Sequence, residues 1–504
     1  MMEEVSIRMT TGHRAGAKDI GLILLVLMVL INTIQIFAQG SEKSREDSLI
    51  KYNPEQMISD FDYLFETLES IHPDLYFYTT KDSIDVLRKK AIERLNHPMT
   101  SVEFWKIIAP VVVKLNDGHT AIYFPYQVRK DYLDSGGLIF PFEVNVENDK
   151  LFITKNYTQD TLIGINSEIQ SINKIPADSI LCTMRNYING ERKSFIDLKV
   201  SLIFKHLIWA LFDFTDSFII DFIAASNGKN YTKSYEGISY EEYKSFKENK
   251  KSDSEPYTFY KIPEAKTGVI DFRHMVDYSA FNKFLDSTFT VILNDSLQNL
   301  IIDIRKNGGG NSNLADALLS HFNKKSYTQA TQMDVKVSKQ ARKQFRKIFF
   351  KWYMYPLYPV ALFNSYSRPV LFGKKGKIVS YNREPEKPKT SDPFFNGSVY
   401  LLTSPNTFSS ANILAAVFKC YDMGTMIGEE TGGLTIAFGD IISVELPNTK
   451  LKGGCSYKKF YHPCGKPDNH GVIPDIEVKQ NPEDTKQGKD TVMEFTVNYI
   501  NKSK

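Results

Sequence analysis

Four short apolar runs separated by helical patterns set the tightest limit on how this chain can fold. They are Gly268–Phe272, Leu300–Ile304, Val399–Thr403 and Gly424–Gly428. Helical spacing covers Phe281 to Leu293 and Leu314 to Phe322, and returns after Ser409 at Ile413, Leu414, Ala416 and Val417. Strands this continuously apolar are buried on both faces. The pattern therefore predicts an α/β core whose parallel strands are joined by right-handed helical crossovers. Chemistry in such sheets collects beyond the C-terminal ends of the strands. Two segments fall there: Asn307-Gly308-Gly309-Gly310 and Asn406-Thr407-Phe408-Ser409-Ser410.

The 504 residues exceed one ordinary core, so about two to four domains are expected. Before the α/β region the chain reads as helical over 48–125. Asn53-Pro54 supplies a cap and a first-turn proline, and Met57, Phe61, Leu64, Phe65 and Leu68 recur at helical spacing. A second helix carries Ile84, Leu87, Ala91 and Leu95. A third opens on the capping box Thr100 to Glu103, contains Pro110, and ends at Asn116-Asp117-Gly118. His119 is the first residue beyond it.

Over 130–205 the period changes to strands, and the order of strands, turn and helix resembles a PDZ domain. Gly137, Leu138, Ile139 and Phe140 stand where that family receives a peptide carboxylate on backbone N–H groups. The α/β core is expected over 206–325 and 395–480, interrupted by an insertion at 326–394. The insertion is basic and aromatic from Arg342 to Tyr358, which suits a lid, a surface attachment patch or an amphipathic helix packed on the core.

Residues 1–39 read as an export signal or an N-terminal anchor. Arg14 and Lys18 precede an apolar run from Ile20 to Phe37, and Ala38-Gln39-Gly40 follows. The expected location is outside the cytoplasm: periplasmic, envelope-associated or secreted, with membrane contact only through an uncleaved leader. A net charge of +3 gives no reason to invoke nucleic acid. Of the four cysteines, Cys420 reads as a core residue, and Cys455 and Cys464 can bridge a hairpin.

Ser409 begins a helix where a buried strand ends, so unpaired helix N–H groups face developing negative charge. The plainer reading is a serine N-cap. His119 is a candidate base, and the glycines at 308–310 let amides approach a substrate oxygen without obstruction. With these, five segments resemble the tail-processing serine peptidases, in their tricorn-like branch. They are Leu115 to Thr120, Ile301 to Gly310, Asn406 to Ala411, Ile427 to Gly433 and Asp468 to Asp475.

The resemblance implies a helical cap, a PDZ-like domain and a crotonase-like layered α/β core around a serine. It implies no cofactor, and no zinc-peptidase spacing suggests a metal. One branch of the family uses a lysine shortly after the Gly-Glu-x-Thr-x-Gly segment; here Leu434 holds that position. The other uses the histidine matched by His119, supported by an acid matched by Asp468. Gly118 stands where that branch can carry a serine. The oxyanion would face the N–H of Ser410 and one from Gly308 or Gly309. Ser410 is an alternative nucleophile, and His470 and His274 are rival bases. Asp117 is expected to cap its loop. The function implied is an exported serine endopeptidase acting on peptides or unfolded protein tails. The alternative is a catalytically inactive peptide- or hydrophobic-ligand-binding protein on the same scaffold.

Overall fold

The computed structural model describes residues 50–248, 255–349 and 364–502. The leader at 1–39 and part of the Arg342 to Tyr358 stretch lie outside the described residues. Among the described residues no helix is long and apolar enough to cross a membrane.

The expected α/β core forms as a six-stranded sheet. Its order is Tyr257–Ile262, Thr267–Phe272, Asn299–Asp303, Ser398–Thr403, Thr425–Gly428 and Ile476–Glu477. The first pair is antiparallel and every other pair is parallel. Alternate residues face opposite layers, as the two-residue strand period requires. Ile270, Leu300, Ile302 and Leu401 pack against the helices Tyr278–Asn294, Asn313–Leu319 and Ser410–Cys420. Val269, Ile301, Tyr400 and Leu402 meet the C-terminal helix Thr491–Lys502 on the other face.

The N-terminal helices form where their caps were expected. Helix Pro54–Ile71 starts on a capping box between Asn53 and Gln56, and Ser101–Val113 on one between Thr100 and Glu103. Their apolar faces share a core with a second sheet, ordered Ile378–Asn382, Gln332–Lys336, Lys452–Tyr461 and Ile436–Glu445. Two of those strands come from the 326–394 insertion, so part of that segment is framework. The short strand Ala121–Ile122, just after His119, pairs with Gly453 and Gly454 in the same sheet.

A third sheet is antiparallel, ordered Phe142–Glu147, Lys150–Asn156, Glu168–Ile172, Ser217–Ile223 and Asn230–Glu236. It runs past residue 205, where the sequence suggested an end, and helix Lys193–Phe212 packs on it. Ser201 Oγ accepts the edge-strand N–H of Val146 at 2.9 Å, so that helix occupies the edge.

The expected bridge between Cys455 and Cys464 does not form. Cys464 is bonded to Cys420, with the Cα atoms 5.6 Å apart, and Cys455 is a free, buried thiol. The reason is topological: Cys455 lies inside a strand facing the core beneath helix Pro54–Ile71, whereas Cys464 lies in the turn after that strand. Cys420, read as a plain core residue, ends the Ser409 helix beside that turn.

Candidate active site

Strand Ser398–Thr403 delivers the chain to a stitched turn. Ser404 Oγ donates to the Arg305 carbonyl at 2.6 Å, and Thr407 Oγ1 to the Ile304 carbonyl at 3.0 Å. Phe408 N–H reaches the Asn307 carbonyl at 3.2 Å, while the Asn307 side chain donates to Phe272 O at 2.8 Å. The serine turn and the glycine run are thereby held as one unit. Ser409 follows with φ 52° and ψ −124°, a left-handed backbone that is strained for a residue with a Cβ. It occupies the N-cap position of helix Ser410–Cys420 but makes no side-chain cap bond. Its hydroxyl instead lies 3.0 Å from His119 Nε2.

Gly309 explains the glycine requirement. Its φ is +101°, and a Cβ there would lie 2.8 Å from both Ser409 Cβ and Ser410 N. The amides divide unevenly. Gly309 N–H is engaged by Asn307 Oδ1 at 2.9 Å, which removes it from the expected oxyanion donors. Gly308 and Ser410 have N–H groups with no hydrogen-bond acceptor among the described residues. Ser410 Oγ donates to the Gly310 carbonyl at 2.7 Å and makes no hydrogen bond with His119.

His119 comes from a distant part of the chain, 290 residues before Ser409. Strand Ala121–Ile122 anchors it, and its ring stacks on Phe408, which stacks in turn on Phe195. Burial pushes its pKa down, against the opposing pull of the Asp117 charge, so the neutral form is favoured. Its Nδ1 is buried without a hydrogen-bond partner.

The acid nearest that nitrogen is Asp117, with Oδ1 4.0 Å from Nδ1. Asp117 is 2% exposed. It accepts the His119 N–H at 2.9 Å, Ser456 Oγ at 2.7 Å, His72 Nε2 at 3.2 Å and the Thr120 hydroxyl. Burial alone would push its carboxyl up, but the His72 bond and charge prevail and hold it well below the carboxylate range. It caps its loop, as expected, and also faces the imidazole, which was not.

Asp468 is not brought to His119. It is exposed, accepts the His470 N–H at 3.2 Å, and makes no hydrogen bond or ion pair with His119. The turn that carries it is drawn toward Cys420 by the disulfide and toward Glu430, whose carboxylate accepts the Gly471 N–H at 2.6 Å. His470 lies 3.3 Å from Glu430 and is exposed, and His274 is exposed at the end of its strand. Leu434 is buried, and its carbonyl accepts the Asn412 side chain.

The run from Gly137 to Phe140 is not free to receive a carboxylate. Gly137 N–H is held by Tyr132 O, Leu138 N–H by the Tyr132 hydroxyl and Ile139 N–H by Ile238 O. Ile139 and Phe140 are core residues. The run's apolar end is packed into the core, with Ile139 bridged to Ile238.

Sequence reasoning missed Glu191 and Lys199. Glu191 Oε1 accepts the Gly118 N–H at 3.0 Å, while Lys199 Nζ sits 4.6 Å from the Phe195 ring centroid. No motif signalled either: Glu191 lies just before helix Lys193–Phe212 and Lys199 within it. Asp117, His119 and Glu191 bring their ligating atoms within 4.8 Å of one another. Both Asp117 oxygens are already engaged by donors, which makes it a poor cation ligand, and no metal is assigned.

A cavity of about 970 Å³ opens over Ser409 and His119. Ile413, Phe438 and Phe460 line it, as do Met333, Tyr327 and Arg383 from the insertion. A hydroxyl, a neutral imidazole and the unengaged Ser410 amide at one cavity wall can carry out acyl transfer.

Residues 266–478 match the model of peptidase family S41. Among curated proteins, one described as a tricorn-like protease C-terminal subunit, from Sulfurisphaera tokodaii, is 29% identical over 131 residues. That segment is 25% of this chain, and the match spans only 15% of that protein's length. Among solved structures, mature CPAF superposes with a TM-score of 0.61 at 14% identity, covering 88% of this chain and 96% of that one. Mature CPAF complexed with lactacystin gives 0.60 at 13% identity, covering 89% and 97%. These two likenesses establish a shared fold across most of the chain. The family match includes Ser409 and the glycine run but begins well after His119.

Proposed function

We propose, from the match of residues 266–478 to peptidase family S41, that this chain is an exported serine endopeptidase of Ser/His type, cleaving peptides or unfolded protein tails. The observation that carries the reading is the 3.0 Å approach of His119 Nε2 to a Ser409 hydroxyl that caps nothing. Ser409 Oγ attacks the substrate carbonyl carbon and its proton passes to His119 Nε2. The tetrahedral oxyanion faces the Gly308 and Ser410 amides; loss of one such donor typically costs about 3 kcal/mol in the transition state. When the C–N bond breaks, His119 returns the proton to the leaving amine, and water then hydrolyses the acyl-enzyme by the reverse sequence. The Asp117 charge adds to the stabilisation of the imidazolium.

Export rests on the leader at 1–39, and accords with a disulfide between Cys420 and Cys464. The cavity favours an extended peptide with an apolar residue near the scissile bond, given Ile413, Phe438 and Phe460 along its wall.

A fluorescent serine-reactive phosphonate tests the assignment. Wild type should be labelled, while Ser409→Ala should not be and should lose at least about 10³-fold in peptide hydrolysis. Labelling that persists in Ser409→Ala would move the nucleophile to Ser410. A wild type that is neither labelled nor active would return the chain to the inactive binder.

A further inference from the structure

The imidazolium formed during acyl transfer needs a charged partner at Nδ1, where no well-formed hydrogen bond is made among the described residues and the Phe438 backbone also bears on the ring. Asp117 is 4.0 Å away, with its oxygens engaged by four other donor groups. A second buried polar atom nearby also lacks a partner: Glu191 Oε2. Its carboxyl is moored by Oε1 on the Gly118 amide, one residue before His119. Gly118 makes room for this arrangement, since a Cβ there would stand 3.0 Å from Glu191 Oε2 and 2.7 Å from Phe408 Cζ. His119 and Glu191 bring ligating atoms within 4.8 Å of one another, so an unpartnered donor and an unpartnered acceptor sit on neighbouring groups that a small rearrangement can join.

We infer that Glu191 is a positioning residue for the Ser409–His119 reaction: its carboxylate is the acceptor that holds His119 and offsets the positive charge gained as Ser409 gives up its proton. This rests on the Ser/His reading and assigns the acid that the sequence left open. The proton moves only from Ser409 Oγ to His119 Nε2; Nδ1–H stays on the ring and Glu191 stays ionised throughout.

Ionisation of Glu191 then becomes a condition for activity. Burial, and next the like charge of Asp117, push its pKa up to about 7, while the Gly118 amide and Lys199 oppose the rise. The groups facing it are Asp117, His119 and Lys199, with Tyr78 close enough to sense its charge. Arg192 is paired with Glu430 instead. Below about pH 7 Glu191 gains a proton and loses the charge that helps His119, so kcat falls on the acid side.

The test uses the full chain with casein and a quenched fluorescent peptide, comparing wild type, Glu191→Gln and Glu191→Asp. Gln keeps an acceptor for Gly118 N–H but cannot ionise. Glu191→Gln should lower kcat about 10- to 100-fold with KM unchanged, and remove the ionisation near pH 7 from the kcat profile. Glu191→Asp, which retains a carboxyl, should recover part of kcat and restore a pH-dependent limb. The inference is overturned if Glu191→Gln keeps the wild-type kcat and profile, if only KM moves, or if Gln and Asp fail equally. Phosphonate labelling of wild type, absent in Ser409→Ala, is read in parallel. If that labelling fails, the Ser/His reading falls first and separately.

Discussion

Ser409 carries a conformational strain that its proposed role as nucleophile explains. A side chain at φ 52°, ψ −124° is disfavoured by about 1–3 kcal/mol, and the turn holds it there through Ser404, Thr407 and Phe408. Ser409→Gly should therefore abolish hydrolysis yet raise stability by about 1 kcal/mol, whereas Ser409→Ala should abolish hydrolysis without that gain. Urea unfolding of the three proteins decides it; equal midpoints for Gly and Ala would mean the backbone is unstrained. At this scale much was legible. The serine and the histidine stood out because each sits at an element boundary whose local sequence announces it. The acid did not, because Asp117, Glu191 and Asp468 are equally plausible carboxylates in a one-dimensional string. Which one nears His119 depends on how helix Lys193–Phe212 and the turn at 462–471 pack, and that information is non-local.

Elements followed the same division between local and distant signals. Capping boxes at Asn53 and Thr100 were readable because every participating atom lies within four residues. Strands Gln332–Lys336 and Ile378–Asn382 were not, since more than forty residues separate them and neither has the long apolar run of a central strand. One contact between elements shows how firmly the helices are attached. Asp60, on the first helix and fully buried, accepts the N–H groups of Asn448 and Thr449 at 2.8 and 2.7 Å. It also accepts Asn448 Nδ2 at 2.9 Å and Thr449 Oγ1 at 2.6 Å. That turn joins strands Ile436–Glu445 and Lys452–Tyr461, the second of which pairs with Ala121–Ile122. Asp60→Ala strands four donors at once and should destabilise by roughly 3 kcal/mol. Thermal unfolding checks this, and phosphonate labelling at low temperature should persist because no site residue is touched. An unchanged midpoint would mean that water replaces the carboxylate without loss.

The whole molecule explains why the family match alone is not the working unit. Residues 266–478 contain Ser409, Gly308 and Ser410, but His119, Asp117 and Glu191 all lie before residue 266. The sheet that receives Ala121–Ile122 buries Val335, Val444, Cys455 and Tyr457 against Phe61, Phe65, Phe104 and Trp105 of the N-terminal helices. A chain cut to 256–504 would keep Ser409 and lose both His119 and the layer that covers this sheet. Buried apolar surface contributes about 25 cal/mol per Å², so uncovering one face of a sheet removes a stabilisation comparable to a domain's whole margin. Such a fragment should resist phosphonate labelling and bind a hydrophobic dye, whereas full-length His119→Ala should resist labelling while unfolding cooperatively. The two results together separate loss of the base from loss of the fold. A fragment labelled at the full-length rate would show that Ser409 is activated from within its own α/β layer, and the role given to His119 would have to be abandoned.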